Sequence, residues 1–579
     1  MTTVATRDST EPEPPTADGS WRWVDPWCYV AAVLTGSVLA VIAVFNQPYN
    51  QNELQQLKPY GSGDIDAIVN GTRQPPLDPL LGAAVQELVG VGQLQQRIVP
   101  LVSGILALVA MTLLLWRLDL GVAGPVAAWA MATAPLWLRY SAYGRPYALP
   151  LMLMVVFVYA AHRYLEARDW RWLVLVTSTG VLMPAARVPE PVAFLGAAAV
   201  VLGWQAYRRR TPGALALTVV SSGTLIGVGY PFYRSLAAET AGVWDPSPSG
   251  VASRFTSGVA EILSGLLPLL AEYLPWWPVT VALLVAAIAM PAARRRLMGW
   301  WFFWPLLAGP AVFVLAYHFL NPFDFDVRPY RARMAMFFVP PFVLVTAAVA
   351  AAVVEARTWS RQARAAGALF LAAVVIAQFP NAVRVLSENE APDYAEAARV
   401  LRNDVPRGAI VLYDSFNTPG QWRQPFSSSP RYLQDKPYVV EVAKLMHAPK
   451  QVPERGPVYL LLLDSECAVS VVCDGERANW DGEVSGWQPM RRFDRFTLYR
   501  PDEPLTGRAG VVEALRTWAD DLGPTYGHLA TFDAAALLKA TGRAEEGRAL
   551  VQQMYAASSP ELRTEIERTA AKRDLDPFA

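Results

Sequence analysis

Charge is what this sequence has least of: Asp, Glu, Lys and Arg make up 17% of its 579 residues, where a soluble domain carries about a quarter. The shortfall is concentrated. Stretches 29–45, 98–116, 122–138, 149–161 and 334–354 hold few or no charges, and several reach the roughly 20 residues that a spanning helix needs. A net charge of zero and arginine clusters confined to the ends of apolar runs exclude a polybasic nucleic-acid surface. Histidine and cysteine are scarce, at four and three residues, and no cluster of them has zinc spacing. Three cysteines also exclude a disulfide scaffold, although Cys467 and Cys473 could form one local bridge outside the cytoplasm. The first twenty residues lack a basic n-region leading into an apolar h-region, so they do not read as a cleavable signal. Residues 1–26 read as a disordered cytoplasmic tail.

What is present is a series of apolar windows. They predict about eleven spans, at 27–45, 96–116, 121–138, 147–163, 171–184, 191–207, 213–232, 276–292, 299–319, 334–355 and 365–380. Arg117, then Arg163, Arg168 and Arg171, then Arg208–Arg210, Arg294–Arg296, and Arg357, Arg361 and Arg364 fall on one face. Short cytoplasmic loops collect Lys and Arg, so that face is expected to be the cytoplasm, with the N-terminus inside and the C-terminus outside. The apolar stretch 258–275, which holds Glu261, Glu272 and Pro268, reads as an interfacial or re-entrant helix. The aromatic run 300–304 and Trp276-Trp277 read as bilayer-interface belts.

The expected organisation is a transmembrane domain over 27–385, an extracytoplasmic α/β domain over 386–506 and a helical C-terminal segment over 507–579. In the α/β domain, 394–403 has helical periodicity and 409–413, 458–463 and 496–499 are β-type runs. In the last segment Gly542 breaks a helical pattern that is faintly tetratricopeptide-like. Tyr413, Trp422, Tyr432, Trp480 and Trp487 could stack on sugar rings, and core packing explains them equally well. The first extracytoplasmic loop, 46–95, holds Glu53, Lys58, Asp64, Asp66, Arg73, Asp78 and Glu87, far more charge than a turn requires. Long loops of this kind are usually functional.

Several short motifs then occur in a fixed order. They are Asn52-Glu53, Gln74-Pro75-Pro76-Leu77, the turn Tyr140-Ser-Ala-Tyr-Gly-Arg145-Pro-Tyr147-Ala-Leu149, and Arg328-Pro-Tyr-Arg331-Ala-Arg333 leading into Phe337-Phe-Val-Pro-Pro341. Over residues 27–380 this order resembles the GT-C glycosyltransferases of the polyprenyl-phosphate-mannose and aminoarabinose-transferase type. The resemblance implies a GT-C-like polytopic fold and inverting transfer of a sugar from a polyprenyl-phosphate donor. It also implies a loop carboxylate as general base or metal-linked acid. The chain departs from the pattern at Asn52 (usually Asp), Gln74 (usually His) and Ala142-Tyr143 (usually a carboxylate or amide).

An acceptor hydroxyl is a poor nucleophile until its proton is taken, and Asn52 cannot take it. Glu53 is the nearest candidate, with Asp64, Asp66 and Asp78 as alternatives; each could equally be a solvated loop charge. Arg328, Arg331 and Arg333 go against the positive-inside trend and stand just before a span, so an anionic lipid phosphate is their expected partner. Local pairing with Asp324 and Asp326 is the alternative. Arg145, between Tyr143 and Tyr147, is either a snorkelling anchor or a ligand contact. Asn52, Gln74 and Tyr147 complete the expected substrate contacts, and Arg187 and Glu190 are placed to pair with each other. A divalent metal is compatible with the family, but no protein motif announces one.

The function this predicts is transfer of a sugar from the lipid donor to an envelope glycan or glycolipid at the outer face of a bacterial plasma membrane. The bacterial setting follows from Arg-rich, Lys-poor, Ala- and Val-heavy usage. The alternative is a non-catalytic scaffold that binds lipid-linked glycan and recruits envelope partners. A transporter ranks third, because the spans hold few buried charges and no evident interrupted repeats.

Overall fold

A computed structural model describes residues 25–47, 53, 65, 75–90, 93–232, 234, 277–320, 335–356, 360–387, 394–414, 437–442, 445, 449–463, 484–493, 496–573 and 575. The membrane part runs α1 (Asp25–Asn46), α2 (Leu77–Val89), α3 (Gln93–Arg117), α4 (Ala123–Ala132), α5 (Pro135–Ser141), α6 (Ala148–Ala167), α7 (Trp170–Ala186) and α8 (Pro189–Arg209). It continues with α9 (Pro212–Thr224, extended by a π turn over Leu225–Gly229), α10 (Trp277–Ala289), α11 (Pro291–Gly299), α12 (Phe303–Leu320), α13 (Val339–Glu355), α14 (Arg361–Ile376) and α15 (Phe379–Ser387).

Among the described residues six helices are long and apolar enough to cross a bilayer, or seven if the bent pair α10–α11 counts as one span. This establishes a multi-pass membrane protein, with fewer qualifying helices than the eleven windows suggest. Proline accounts for two of the differences. The residue before a proline is pushed out of the α region, and Ala134 (ψ 119°) and Met290 (ψ 112°) are extended just before Pro135 and Pro291. The expected span 121–138 is therefore two short helices. The expected span 276–292 stops at residue 289 and turns by 84° into α11, which carries Arg294–Arg296. The expected re-entrant stretch 258–275 lies outside the described residues.

Side-chain contacts sort the helix ends into two groups. At one end Arg117 of α3 and Arg163 of α6 share Glu166, His162 stacks edge-on against Phe302, and Arg296 of α11 pairs with Glu355 of α13. The arginine-rich ends thus meet at one end of the bundle. Arg97 stands at the other end of α3, and twenty residues of helix between Arg97 and Arg117 span about 30 Å, which is also the thickness of the hydrocarbon core. Between the two ends α13 is buried almost all round, its alanine-rich face packed on α4 and α11. Trp301, Phe302 and Phe303 belong to this core rather than to an exposed belt.

Beyond α16 (Tyr394–Asp404) five strands form one sheet in the order β2-β1-β3-β5-β4. Strands β1 (Ile410–Asp414), β2 (Tyr438–Glu441) and β3 (Val458–Leu463) are parallel, and the hairpin of β4 (Trp487–Phe493) and β5 (Phe496–Pro501) adds antiparallel to β3. Successive residues of a strand face opposite ways. Val411, Tyr413, Leu461 and Leu463 therefore pack on one face with α16 residues, and Ile410, Leu412, Leu460 and Leu462 on the other with Val511, Leu515 and Trp518 of α17 (Gly507–Ala540). Tyr413 and Trp487 are core residues here, whereas Trp422, Tyr432 and Trp480 lie outside the described residues. Because α17 covers a sheet face, the helical segment, which continues through α18 (Ala544–Ala557) and α19 (Pro560–Arg573), shares its core with the sheet. Cys467 and Cys473 lie outside the described residues, and Cys28 is a free thiol.

Candidate active site

The helix ends opposite the Arg117–Glu166 group converge on one fully buried ion pair. Arg97, in the second turn of α3, donates Nε and Nη2 to the two oxygens of Glu53, each at 2.8 Å, and both side chains are 0% exposed. Its Nη1 donates to the carbonyls of Val44 and Gln47, both at 2.8 Å. The first is a carbonyl of the last turn of α1, which has no partner within its own helix, and the second belongs to the residue just after that helix. One guanidinium thus caps α1 and fixes the start of the first loop.

The same carboxylate reaches 91 residues down the chain. Glu53 Oε1 accepts the backbone N–H of Gly144 at 2.7 Å, and Gln96 Nε2 donates to the Glu53 carbonyl at 2.6 Å. Gly144 lies in a tight turn in which Arg145 N–H donates to the Tyr143 carbonyl and Tyr147 N–H to the Arg145 carbonyl, each at 2.7 Å. Bonds two residues apart define γ-type turns, and Pro146 stiffens the second. A Cβ at position 144 would stand 2.9 Å from Glu53 Oε1 and 3.1 Å from Gln96 Cγ, so only glycine permits the approach. Upstream, Trp137 Nε1 donates to the Gly104 carbonyl at 3.1 Å and pins α5 across α3.

Aromatic rings wall the turn. Tyr140, Tyr143 and Tyr147 contact one another with centroids 5.2–6.0 Å apart. Arg187 lies over the Tyr147 ring at 4.9 Å and forks onto buried Glu190 at 2.6 and 3.0 Å, the pairing expected of these two residues. This second Arg–carboxylate fork joins α7 and α8 to the turn.

Of the residues picked out from sequence, Glu53, Arg145 and Tyr147 come together here, and Asp78 is buried in the first turn of α2. Asn52, Asp64, Asp66, Gln74, Arg328, Arg331 and Arg333 lie outside the described residues. The sequence reading missed Arg97 and Gln96. The available signal was an arginine inside the start of an apolar span at its arginine-poor end, where a lone charge needs a partner.

The fold is similar to two crystal structures of ArnT from Cupriavidus metallidurans. One is in the apo state, with a TM-score of 0.48 and 13% identity over 83% of this chain and 98% of that one. The other is bound to undecaprenyl phosphate, with a TM-score of 0.47 and the same identity and coverage. No protein-family model matches the chain, and no curated protein does.

Chemically, the described part of the site offers a half-buried guanidinium at Arg145, three tyrosine rings and a second guanidinium at Arg187, held by the buried Glu53–Arg97 pair and the part-buried Arg187–Glu190 pair. Among the described residues no three His, Cys, Asp or Glu side chains gather closely enough to hold a metal ion.

Proposed function

We propose that this protein is a membrane glycosyltransferase that moves a sugar from a polyprenyl-phosphate donor to a cell-envelope glycan or glycolipid. The reaction takes place at the end of the bundle that holds the Glu53–Arg97 pair. The carrying observation is the bond from Gly144 N–H to Glu53 Oε1 at 2.7 Å. It joins two motifs of the GT-C-like order, Asn52-Glu53 and the Tyr140–Leu149 turn, which are far apart in sequence.

In this reading Arg145 holds the donor phosphate, because a guanidinium at interface depth binds a phosphate with charge-assisted bonds. Arg328, Arg331 and Arg333 add cations from the later loop. Glu53 is the lock rather than the base. Its oxygens already accept three protein N–H donors, so the acceptor proton goes to a carboxylate further along the loop, Asp64, Asp66 or Asp78. That carboxylate takes the hydroxyl proton, and the acceptor oxygen forms a bond to the anomeric carbon from the side opposite the phosphate. The bond between that carbon and the phosphate oxygen breaks, polyprenyl phosphate leaves, and the anomeric configuration inverts. The arginine-rich end faces the cytoplasm, which puts this chemistry on the extracytoplasmic side of a bacterial plasma membrane.

Native mass spectrometry of the full-length protein with undecaprenyl phosphate tests the reading. Binding is expected, and Arg145→Ala should weaken it at least about tenfold, as loss of a charged contact does. Absence of lipid binding by the wild type would contradict it.

A further inference from the structure

Helices α6 and α8 both finish on an arginine in the left-handed region of backbone space, Arg168 at φ 57° and Arg210 at φ 49°. Glycine is the usual residue at such a position, because a Cβ is strained there. Two turns at the arginine-rich end thus accept strain and still carry a cation.

The fold brings these turns together. Arg168 Nη1 lies 1.1 Å from the place that a Cβ on Gly213 would take, so its guanidinium rests on the first turn of α9, which opens two residues after Arg210. Arg208 and Arg209 close the last turn of α8, and Arg208 lies 4.6 Å over the exposed ring of Trp204. Four exposed cations therefore gather at one helix start, where the peptide dipole already disfavours positive charge.

No carboxylate answers them. Arg117, Arg163 and Arg296 at the same end are paired with Glu166 or Glu355, whereas none of Arg168 and Arg208–Arg210 has an ion pair among the described residues. Asp169, next to Arg168, accepts the Arg171 N–H at 3.0 Å and caps α7. The charge of the patch is left for an anion from outside the chain.

The surroundings identify that anion. Val200, Trp204 and Tyr207 share one face of α8 by their spacing, and Leu215 and Val219 one face of α9; all five are more than half exposed. On spanning helices such faces meet acyl chains, and Trp and Tyr mark the depth of the headgroups. Guanidinium groups at that depth meet lipid phosphate. From Glu190, beside the Tyr147 turn, to Arg208 the helix rises about 27 Å, close to the thickness of the hydrocarbon core. The phosphate at this patch therefore belongs to the leaflet opposite the Arg145 site.

We propose that Arg168 and Arg208–Arg210 form a binding site for an anionic phospholipid of the leaflet at the arginine-rich end, with the phosphate on the guanidinium groups and the acyl chains along the outer faces of α8 and α9. A lipid bound there ties the α6–α7 turn to the α8–α9 turn. The site stands on the charge balance of these turns and does not depend on the reaction proposed above.

The test is native mass spectrometry of the purified full-length protein in neutral detergent, titrated with phosphatidylglycerol and, separately, with phosphatidylcholine, which carries a phosphate but no net charge. The wild type should bind phosphatidylglycerol at least about tenfold more tightly, since each arginine near a charged lipid contributes about fivefold. Arg168→Gln combined with Arg210→Gln should lose most of that preference. Arg208→Gln combined with Arg209→Gln, which leaves the contact with Gly213 intact, should weaken it too and serves if the first pair fails to fold. Arg294→Gln combined with Arg295→Gln, which removes the same charge from exposed positions of α11, should keep it. The proposal is overturned if the wild type binds the two lipids equally, if the preference survives both pairs of substitutions at the patch, or if the α11 pair lowers it as much, which would make binding a response to total charge. Displacement of phosphatidylglycerol by millimolar inorganic phosphate would also overturn it, in favour of a free-anion site.

Discussion

Arg97 and Glu53, 44 residues apart, meet through two hydrogen bonds of 2.8 Å with neither side chain exposed. Removing one member of a buried pair leaves the other charge without compensation, which typically costs about 3–5 kcal/mol. Arg97→Met should therefore lower stability by roughly that amount in equilibrium or thermal unfolding. Glu53→Leu combined with Arg97→Met should recover part of the loss. Equal stability of Arg97→Met and wild type would show that the pair is not the lock described above.

The ion pairs at the opposite end should behave differently. Glu166, 37% exposed, is shared by Arg117 and Arg163, and exposed pairs contribute about 0–1 kcal/mol. Glu166→Gln should cost less than about 1 kcal/mol in the same assay. A loss as large as that of Arg97→Met would contradict the contrast drawn between the two ends.

Gly144→Ala should disturb the site without touching any charge. Its Cβ would meet Glu53 Oε1 at 2.9 Å, and overpacking of this kind typically costs about 1–3 kcal/mol. Unfolding should shift by that order, and undecaprenyl phosphate binding should fall with it, since the turn carries Arg145. Wild-type lipid affinity in Gly144→Ala would separate the turn from the ligand.

How much of this was legible follows from what each signal measures. Apolar windows found the helices because a bilayer requires long uncharged runs. They ran through Ala134 and Met290 because summed hydropathy does not register the backbone constraint that Pro135 and Pro291 impose on the preceding residue. Strands β1, β3 and β5 were visible as apolar runs because both faces of each are buried. The edge strands β2 and β4 were not; in β4 Gln488 to Arg492 are all exposed, so no apolar run marks it. Gly542 was read as a breaker and has φ 85°, ending the helix before α18. At the site, Glu53 stood out as a loop carboxylate, but its partner Arg97 looked like the ordinary start of a span. Only the fold brings residues 53, 97 and 144 together.

Topology is tested by labelling. In a background with Cys28, Cys467 and Cys473 replaced by serine, a membrane-impermeant maleimide should modify Asn403→Cys in intact cells and miss Arg209→Cys. The reverse pattern would place the arginine-rich end outside and move the site to the cytoplasm.

The central claim is sugar transfer from a lipid phosphate at the end of the bundle where Arg145 lies. Its most direct test is turnover. Purified protein is incubated with a panel of undecaprenyl-phosphoryl monosaccharides and an envelope extract of the expressing bacterium, and release of undecaprenyl phosphate is followed by chromatography. The wild type should release it from at least one donor together with a glycosylated envelope product, and Arg145→Ala, assayed as folded protein, should be slower by at least about tenfold, the loss that about 1.4 kcal/mol of transition-state binding represents. No release from any donor, or equal release by Arg145→Ala, would contradict the account.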